Sequence, residues 1–321
     1  MSSLIEQAAQ RLEQLRQAGA AMPEDRQPEP VDVDRGQRPA GNPVPPPPRV
    51  EAAAVQETAV AQEPPASAQP VSSKRIELDL DALARAGIVS PTAPRSQIAD
   101  QYRVIKRPLI ANAMGRGAVK VANGNLIMVT SSLSGEGKTF TAINLAMSIA
   151  TELNNTVMLV DADVARPSVL QRFGMSPAPG LLDVLLGEVD DLSGVLLRTN
   201  IDKFSILPSG TPHARSTELL ASDAMAKLLD DMATRYPDRI IIFDSPPLLL
   251  TTEARVLASH MGQIVMVVQA EKTRQSDVQQ ALSTIESCPV KLLVLNQSKA
   301  GHKGGYGYGY GYGHGYEAQQ A

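Results

Sequence analysis

Short apolar segments alternate with amphipathic ones along the chain from about residue 120 onward. Six of the apolar segments are rich in Val, Ile and Leu: NLIMVTS (125–131), TVMLVD (156–161), FSILPSG (204–210), RIIIFD (239–244), IVMVVQ (264–269) and VKLLVLN (290–296). Helical periodicity fills several of the gaps, at 139–153, 216–236 and 276–287. Near-continuous apolar strands that alternate with helices are typical of a parallel sheet covered on both faces. The pattern therefore predicts one α/β domain between about residues 120 and 300.

A helical stripe of apolar residues precedes this domain, in a predicted helix at about 96–113. Pro108 has no backbone N–H and disfavours helix in the residue before it, so we expect the helix to end or kink at Arg107. The stripe consists of Ile98, Tyr102, Ile105 and Leu109.

Two segments of different character come before the folded part of the chain. Residues 4–18 carry apolar side chains on one helical face and charged ones on the other, which favours an amphipathic helix at 1–19. This helix either lies on the surface or docks on a partner, and the sequence leaves both open. Residues 20–73 are rich in Pro, Ala, Gln and Glu and lack the apolar residues that would offset ordering entropy, so we expect a disordered linker. A folded domain at 74–300 and a tail at 301–321 complete the predicted organisation.

The tail has an unusual composition. It reads GGYGYGYGYGHGYEAQQA from residue 304 and holds five of the seven tyrosines of the chain. Glycine at every second position disfavours a packed element, because ordering glycine costs the most backbone entropy. We therefore expect the tyrosines to be exposed, and their hydroxyl groups to have a function other than packing. They are Tyr306, Tyr308, Tyr310, Tyr312 and Tyr316.

Charge and composition exclude several classes of protein. A net charge of −4 offers no basic surface for nucleic acid. The single cysteine, Cys288, rules out an internal disulfide and suits a reducing compartment. No apolar run reaches the roughly 18–20 residues that span a bilayer, and the N-terminal segment lacks the apolar centre of a signal peptide. We therefore expect a cytoplasmic protein.

The first apolar strand leads into SSLSGEGKTFTAINLA, where GEGKT (135–139) forms the end of a Walker A loop between a strand and a helix. Small residues let backbone N–H groups close around phosphate oxygens, and the next helix presents its positive end to them. Lys138 would reach the β- and γ-phosphates, and the Thr139 hydroxyl would bind Mg²⁺. Ser132 replaces the first glycine of the motif. We expect the loop to face solvent and to bind a nucleotide in a P-loop NTPase-type sheet.

Acidic residues end two of the predicted strands. Asp161 closes the second strand, with Asp163 and Arg166 just beyond, and Asp244 closes RIIIFD. Ligands bind outside the carboxyl ends of parallel strands, so these carboxylates should face the magnesium and phosphate groups. An Asp in this position is often only a turn former or helix cap, but two of them beside a P-loop favour a metal site. Arg166 either steadies phosphate or pairs with a carboxylate.

The motifs SSLSGEGKT, LVDADVARP and IIIFDSPP together resemble Walker A, A′ and B of the bacterial tyrosine kinases (BY-kinases) that control capsule and exopolysaccharide synthesis. The tyrosine-rich tail also fits that family. The resemblance covers the chain from about residue 78 and is strongest to the soluble tyrosine autokinases of exosortase-linked exopolysaccharide clusters, in which RVIKRPLI and a leading helix such as LIEQAAQRLEQLR are also typical.

The resemblance implies roles for individual residues, with ATP and Mg²⁺ as cofactors. Lys138, Asp161, Asp163 and Asp244 would be catalytic, and one of Asp161 and Asp163 would take the proton from the tyrosine hydroxyl while the other holds metal or its water. Thr139, Asp161 and Asp244 would be the metal ligands. The five tail tyrosines would accept phosphate in trans. The nucleotide-binding residues would be Ser134, Gly135, Glu136, Gly137, Lys138, Thr139, Phe140 and Asn296.

The resemblance further implies self-assembly and partners. The family's ring-forming motif E-x-x-R-x-x-R is present here only as Asp100, Arg103 and Lys106, with the charges kept. A homo-oligomer, a separate membrane polysaccharide co-polymerase that recruits the protein to the inner membrane, and a tyrosine phosphatase are the implied partners.

Two other functions remain open at this point. Partition and cell-division ATPases of the same superfamily switch on ATP without phosphorylating protein, but they carry a signature lysine where this chain has Leu133. A Gly–Tyr tail is also typical of adhesive or condensate-forming segments, although such a segment does not explain the P-loop. The motifs of eukaryote-type kinases are absent from the sequence.

Overall fold

The computed structural model of the protein describes residues 73–235 and 238–298. The predicted N-terminal helix at 1–19, all but the last residue of the predicted linker and the predicted tail at 301–321 lie outside the described residues.

The described residues form an α/β domain. Its strands are β1 (Leu126–Ser131), β2 (Thr156–Asp161), β3 (Leu197–Arg198), β4 (Phe204–Leu207), β5 (Arg239–Asp244), β6 (Gln263–Gln269) and β7 (Val290–Asn296). Its helices are α1 (Leu80–Arg85), α2 (Gln97–Ala113), α3 (Lys138–Ala150), α4 (Val169–Arg172), α5 (Leu181–Leu185), α6 (Ser216–Leu220), α7 (Asp223–Arg235), α8 (Glu253–Ser259) and α9 (Gln275–Ser283), with a 3₁₀ turn at Leu192–Gly194.

The strands form one sheet in the order β3-β4-β2-β5-β1-β6-β7. All neighbours run parallel except β3, which is antiparallel to β4. The predicted mostly parallel sheet is therefore confirmed, and each of the six predicted strands is present. The two-residue β3 was not predicted, because it is too short to show a periodic pattern.

Apolar layers cover both faces of the sheet, as expected for buried parallel strands. On one face, Ile127 and Val129 of β1 pack in a cluster that includes Leu109 of α2 and Leu145 of α3. On the other face, the alternate β1 residues Leu126 and Met128 pack in a cluster with residues of α7, α8 and α9. The strand period of two thus assigns successive β1 side chains to opposite cores.

Helix α2 continues through Pro108 to Ala113, so it does not end at Arg107, one of the two expected effects of the proline, and its bounds agree with the helix predicted at about 96–113. Pro108 has no N–H to donate to the carbonyl of Val104, four residues earlier. Val104 is 72% exposed, so water can bind that carbonyl. Ser96 caps the helix, where its hydroxyl accepts a hydrogen bond from the N–H of Ala99 at 3.2 Å.

The other helix boundaries differ modestly from the prediction. The segment predicted as one helix at 216–236 contains α6 and α7, separated at Ala221 and Ser222. The Ser222 hydroxyl accepts from the N–H of Met225 at 3.2 Å and so starts α7. The helix α8 was not predicted. Among the described residues, no helix combines the length and the apolar character needed to cross a bilayer.

Candidate functional site

The P-loop connects β1 to α3 in a conformation that requires glycine. Gly135 and Gly137 have φ angles of 87° and 95°, in the left-handed region that other residues rarely adopt. A Cβ atom on Gly137 would also lie 2.1 Å from Nδ2 of Asn296. Helix α3 begins at Lys138, so the loop places its backbone N–H groups at a helix N-terminus, the arrangement that binds phosphate.

Glu136 holds the loop in place from within. Its side chain is buried, and its carboxylate accepts a hydrogen bond from the N–H of Leu133 at 2.8 Å and another from the Thr273 hydroxyl. Nδ2 of Asn296 donates to the Glu136 carbonyl at 2.9 Å. Sequence reasoning assigned Glu136 and Asn296 to nucleotide binding, and what the structure shows is that both stabilise the loop. Thr273 was missed, since nothing local relates it to a residue 137 positions away.

Ser132 stands where the motif usually has its first glycine. Its hydroxyl is buried and has no hydrogen-bond partner within the part of the chain that the structure describes. The neighbouring Ser131 hydroxyl donates to the carbonyl of Leu133 at 2.7 Å. The residue that departs from the motif is therefore buried in the loop, and no described residue satisfies its hydroxyl.

The acidic strand ends converge beside Lys138. Asp161 and Asp244 are directly opposite each other on the neighbouring strands β2 and β5. Nζ of Lys138 lies 2.6 Å from Oδ2 of Asp163 and 3.8 Å from Oδ1 of Asp244. The Lys138 side chain is only 11% exposed. The loop was predicted to face solvent, and Ser134 and Gly135 are exposed, but Lys138 is held by carboxylates that the sheet brings together.

The hydrogen bonding of the two strand-end carboxylates is incomplete. Oδ2 of Asp161 accepts from the N–H groups of Ser168 and Val169, each at 3.0 Å. The other oxygen of Asp161 and both oxygens of Asp244 are buried and have no hydrogen-bond partner of normal geometry among the described residues, although the Thr139 hydroxyl is close enough to Asp244 to lower the pKa of that carboxyl. Buried oxygens without donors are costly unless a further ligand satisfies them.

Burial and mutual repulsion shift the protonation of this cluster. Burial, reinforced by the nearby Asp244, raises the pKa of Asp161 to about 7. Burial raises the pKa of Asp244 to about 6, although the Lys138 ammonium opposes the shift. Burial alone would lower the pKa of Lys138, but the attraction of Asp244 and Asp163 outweighs it and raises that pKa. Lys138 therefore stays charged, and the strand-end carboxyls titrate near neutral pH.

A groove of about 500 Å³ opens over the P-loop. Thr139 lies in it, with its hydroxyl 3.1 Å from that of Ser168. Ser168 and Arg172 were not predicted, because their segment has no motif and approaches the P-loop only through the fold. Arg166, left open by the sequence, lies on the groove wall. The wall consists of Ser134, Gly135, Gly137, Lys138, Thr139, Phe140, Asp163, Arg166, Ser168, Arg172, Asn296 and Gln297.

The three residues predicted to contact another copy have different surroundings. Arg103 and Asp100 form an ion pair with each other on the surface of α2. Lys106 is buried, and its Nζ lies 2.7 Å from Oε1 of Glu152 and bonds to the Ser148 carbonyl at the end of α3. Cations are stabilised at a helix C-terminus. Lys106 therefore joins α2 to α3 within the chain, and we remove it from the predicted contact surface.

Comparisons with known proteins agree with this geometry. A protein-family model described as an AAA domain matches residues 124–297. Tyrosine-protein kinase YwqD of Bacillus subtilis is 31% identical over 221 residues, which cover 68% of this chain and 89% of YwqD. Succinoglycan biosynthesis transport protein ExoP of Rhizobium meliloti is 31% identical over 219 residues, which cover 67% of this chain but 27% of ExoP.

A solved structure gives the same result in three dimensions. The crystal structure of the chimerical protein CapA2B2 is 26% identical, with a TM-score of 0.53 over 66% of this chain and 97% of that one. Since the match to a tyrosine-protein kinase covers two thirds of this chain and most of the relative's own length, the chain belongs to the family of bacterial tyrosine kinases, the BY-kinases.

Proposed function

We propose that the protein is an ATP-dependent autokinase that transfers the γ-phosphoryl group of ATP to tyrosines of its own C-terminal tail. One observation carries the proposal: the fold brings a P-loop, its lysine and Asp163 to a single groove, with Asp244 and Asp161 buried beside that lysine. Phosphoryl transfer needs little more from a protein than positioning and charge neutralisation.

The nucleotide phosphates fit over the P-loop backbone at residues 134–139. Lys138 is the residue that changes partner. Its Nζ is bonded to Asp163 at 2.6 Å, and phosphate oxygens would compete for the same ammonium. Transfer of Lys138 to the phosphates releases the Asp163 carboxylate into the groove. Nucleotide binding and exposure of a carboxylate are thereby coupled.

The donors around Thr139 fit a hydrated Mg²⁺. Within the described residues no complete set of acidic, histidine or cysteine ligands surrounds a single point. Mg²⁺, however, is usually bound by one or two carboxylates together with phosphates and waters. The unpartnered oxygens of Asp161 and Asp244 and the Thr139 hydroxyl are suitable donors. When bound, the ion would neutralise phosphate charge.

A carboxylate also has to receive the proton of the tyrosine hydroxyl. Asp163 lies on the groove wall, whereas Asp161 is 1% exposed behind it and has a pKa of about 7. A base whose pKa is near the working pH is effective, and a base must also reach the hydroxyl. Comparing the pH profiles of Asp161→Asn and Asp163→Asn assigns the two roles.

The acceptor tyrosines would come from a second copy of the chain. The described chain ends at Ser298, just after the groove residues Asn296 and Gln297. The tail therefore leaves the domain beside the nucleotide, and its length gives the tyrosines a high effective concentration at nearby sites. The contact between copies would involve the exposed pair of Asp100 and Arg103 on α2.

The biological role would be control of exopolysaccharide synthesis and export. The relative ExoP is named for succinoglycan biosynthesis and transport, and this chain matches 27% of its length. We infer that a separate membrane protein, a polysaccharide co-polymerase, supplies the remaining function and recruits this chain to the inner membrane. A tyrosine phosphatase would reset the tail.

Incubation of the purified full chain with ATP and Mg²⁺ tests the proposal. We expect phosphotyrosine in the tail by blotting and mass spectrometry, and none in Lys138→Met. Lys227→Met, on α7 outside the groove, is the matched control and should label normally. Release of ADP with no phosphotyrosine would instead identify a nucleotide switch of the partition-ATPase type.

A further inference from the structure

Strand β7 lies at the edge of the sheet, and within the described residues its outer side has no partner. The Asn296 carbonyl accepts a hydrogen bond from Ala270 at 2.9 Å, on the inner side next to β6. Since the hydrogen-bonding sides alternate along a strand, Lys291, Leu293 and Leu295 direct their N–H and C=O groups outward. An edge of this kind is a template for a further strand.

The surface around this edge is apolar. Leu293 and Leu295 are 53% and 65% exposed, although they belong to a strand of the central sheet. A groove of about 570 Å³ lies between β7 and α2, and it is lined by Leu293, Leu295 and Val104 of α2, which is 72% exposed. A long, exposed and apolar edge strand promotes aggregation unless something covers it. The edge is therefore expected to have an occupant.

The C-terminal tail is suited to this edge by position and length. Ser298, the last described residue, lies on the wall of the groove beside β7, and Gln297 before it already has a φ of 58°. Residues 299–305 include three glycines and can reverse the chain direction. Residues 306–312 then alternate Tyr and Gly over seven positions, the same length as β7.

We propose that residues 306–312 add to the outer edge of β7 of the same chain as an antiparallel strand. In an extended segment the four tyrosines lie on one face and the glycines on the other. The tyrosine rings would cover Leu293 and Leu295 as cross-strand aromatic–aliphatic pairs, with their hydroxyls in water. Glycine weakens any strand, so this one depends on β7 and detaches readily.

One consequence rests on the proposed function. A phosphotyrosine carries about −1.5 to −2 charges at neutral pH, and phosphates on the same face of one short strand would repel one another. Phosphorylation and docking of the tail would therefore exclude each other. The docked tail would hold the acceptor tyrosines in their unphosphorylated form, and a phosphorylated tail would leave the outer edge of β7 exposed.

Hydrogen exchange of single backbone amides tests the docking on the full-length, phosphatase-treated chain without nucleotide, so the result is independent of kinase activity. The comparison variant has four tail tyrosines changed to Ser, namely Tyr306, Tyr308, Tyr310 and Tyr312. We expect the outward amides of Leu293 and Leu295 to exchange about tenfold more slowly in the wild type than in this variant. Such a ratio corresponds to a free-energy difference of about 1.4 kcal/mol. The amides of Leu292 and Val294 point to β6 and should be protected equally in both chains.

Matched variants separate docking from general effects. Leu293→Ser with Leu295→Ser should lose the protection of the outward amides, whereas Leu153→Ser with Leu250→Ser, which changes two other exposed leucines, should retain it. Equal exchange in the wild type and the tyrosine variant would overturn the proposal. Protection that increases with protein concentration would also overturn it, because the occupant would then be a second copy.

Discussion

Replacement of Lys138 by methionine should destabilise the nucleotide-free domain as well as abolish phosphorylation. The side chain is 11% exposed and its ammonium lies 2.6 Å from Asp163 and 3.8 Å from Asp244. Methionine keeps the apolar stem but removes the charge. The acidic side chains of the cluster, Asp161 included, then face one another with no cation between them.

The magnitude follows from the buried pair. Removal of one partner of a buried ion pair costs about 3–5 kcal/mol, because an uncompensated charge stays behind. Here the cost should lie at the lower end, about 3 kcal/mol at pH 8, since carboxyls with raised pKa values can take up a proton. For a domain of this size the loss corresponds to a Tm lower by about 6–12 °C.

The loss should depend on pH in a defined direction. The folded-state pKa values of Asp161 and Asp244 are about 7 and about 6, above the ordinary value of 3.8. A raised pKa favours the folded state fully below pH 3.8, and this contribution disappears as the pH rises through the folded pKa. Lys138 lowers the pKa of Asp244, so its removal raises that pKa further. The gap in stability between variant and wild type should therefore widen from pH 6 to pH 8.

Urea unfolding at pH 6 and pH 8 without nucleotide or divalent ions measures the effect. The double variant Lys138→Met/Asp163→Asn is the control, because it also removes the carboxylate closest to the lost ammonium. We expect it to recover about half of the lost stability and none of the kinase activity. An unfolding midpoint of Lys138→Met equal to that of the wild type at pH 8, or a double variant less stable than the single one, would refute the role of the ion pair.

Four further outcomes follow from the site. Asp161→Asn and Asp244→Asn should each lower autophosphorylation by about 10²-fold or more, measured by phosphotyrosine blotting, while Asp231→Asn on α7 should not. Gly137→Ala should weaken ATP binding in calorimetry more than Gly135→Ala, because only the first places its Cβ against Asn296; equal losses would contradict the steric argument. A mixture of an active chain whose five tail tyrosines are Phe with a Lys138→Met chain should place phosphate on the latter, and an unlabelled mixture would mean transfer within one chain. Phosphorylation should lower the mass seen by light scattering, because the clustered charges on the tails of adjacent copies repel one another, and Arg103→Glu should give monomers; unchanged masses would remove this switch.

The sequence by itself determined the parts of this protein that depend on local pattern. Runs such as RIIIFD and TVMLVD are strands because continuous Val and Ile favour a buried extended segment. The GEGKT loop was recognisable because its glycines, lysine and threonine are adjacent in the chain. Since parallel strands end at one edge, Asp161 and Asp244 could be assigned to the same site before their contacts were known.

The tertiary structure decided what depends on residues far apart in the chain. Lys106 has the charge of a surface contact residue, and only the packing of α2 on α3 shows that it is buried against Glu152. The bond from Thr273 to Glu136 joins residues 137 positions apart, and the pairing of Lys138 with Asp163 depends on the alignment of β1 and β2, which lie on either side of β5. Burial and the choice of hydrogen-bond and ion-pair partners depend on the whole fold, because they follow from which side chains pack together and exclude water. The local periodicity of the sequence does not contain this information.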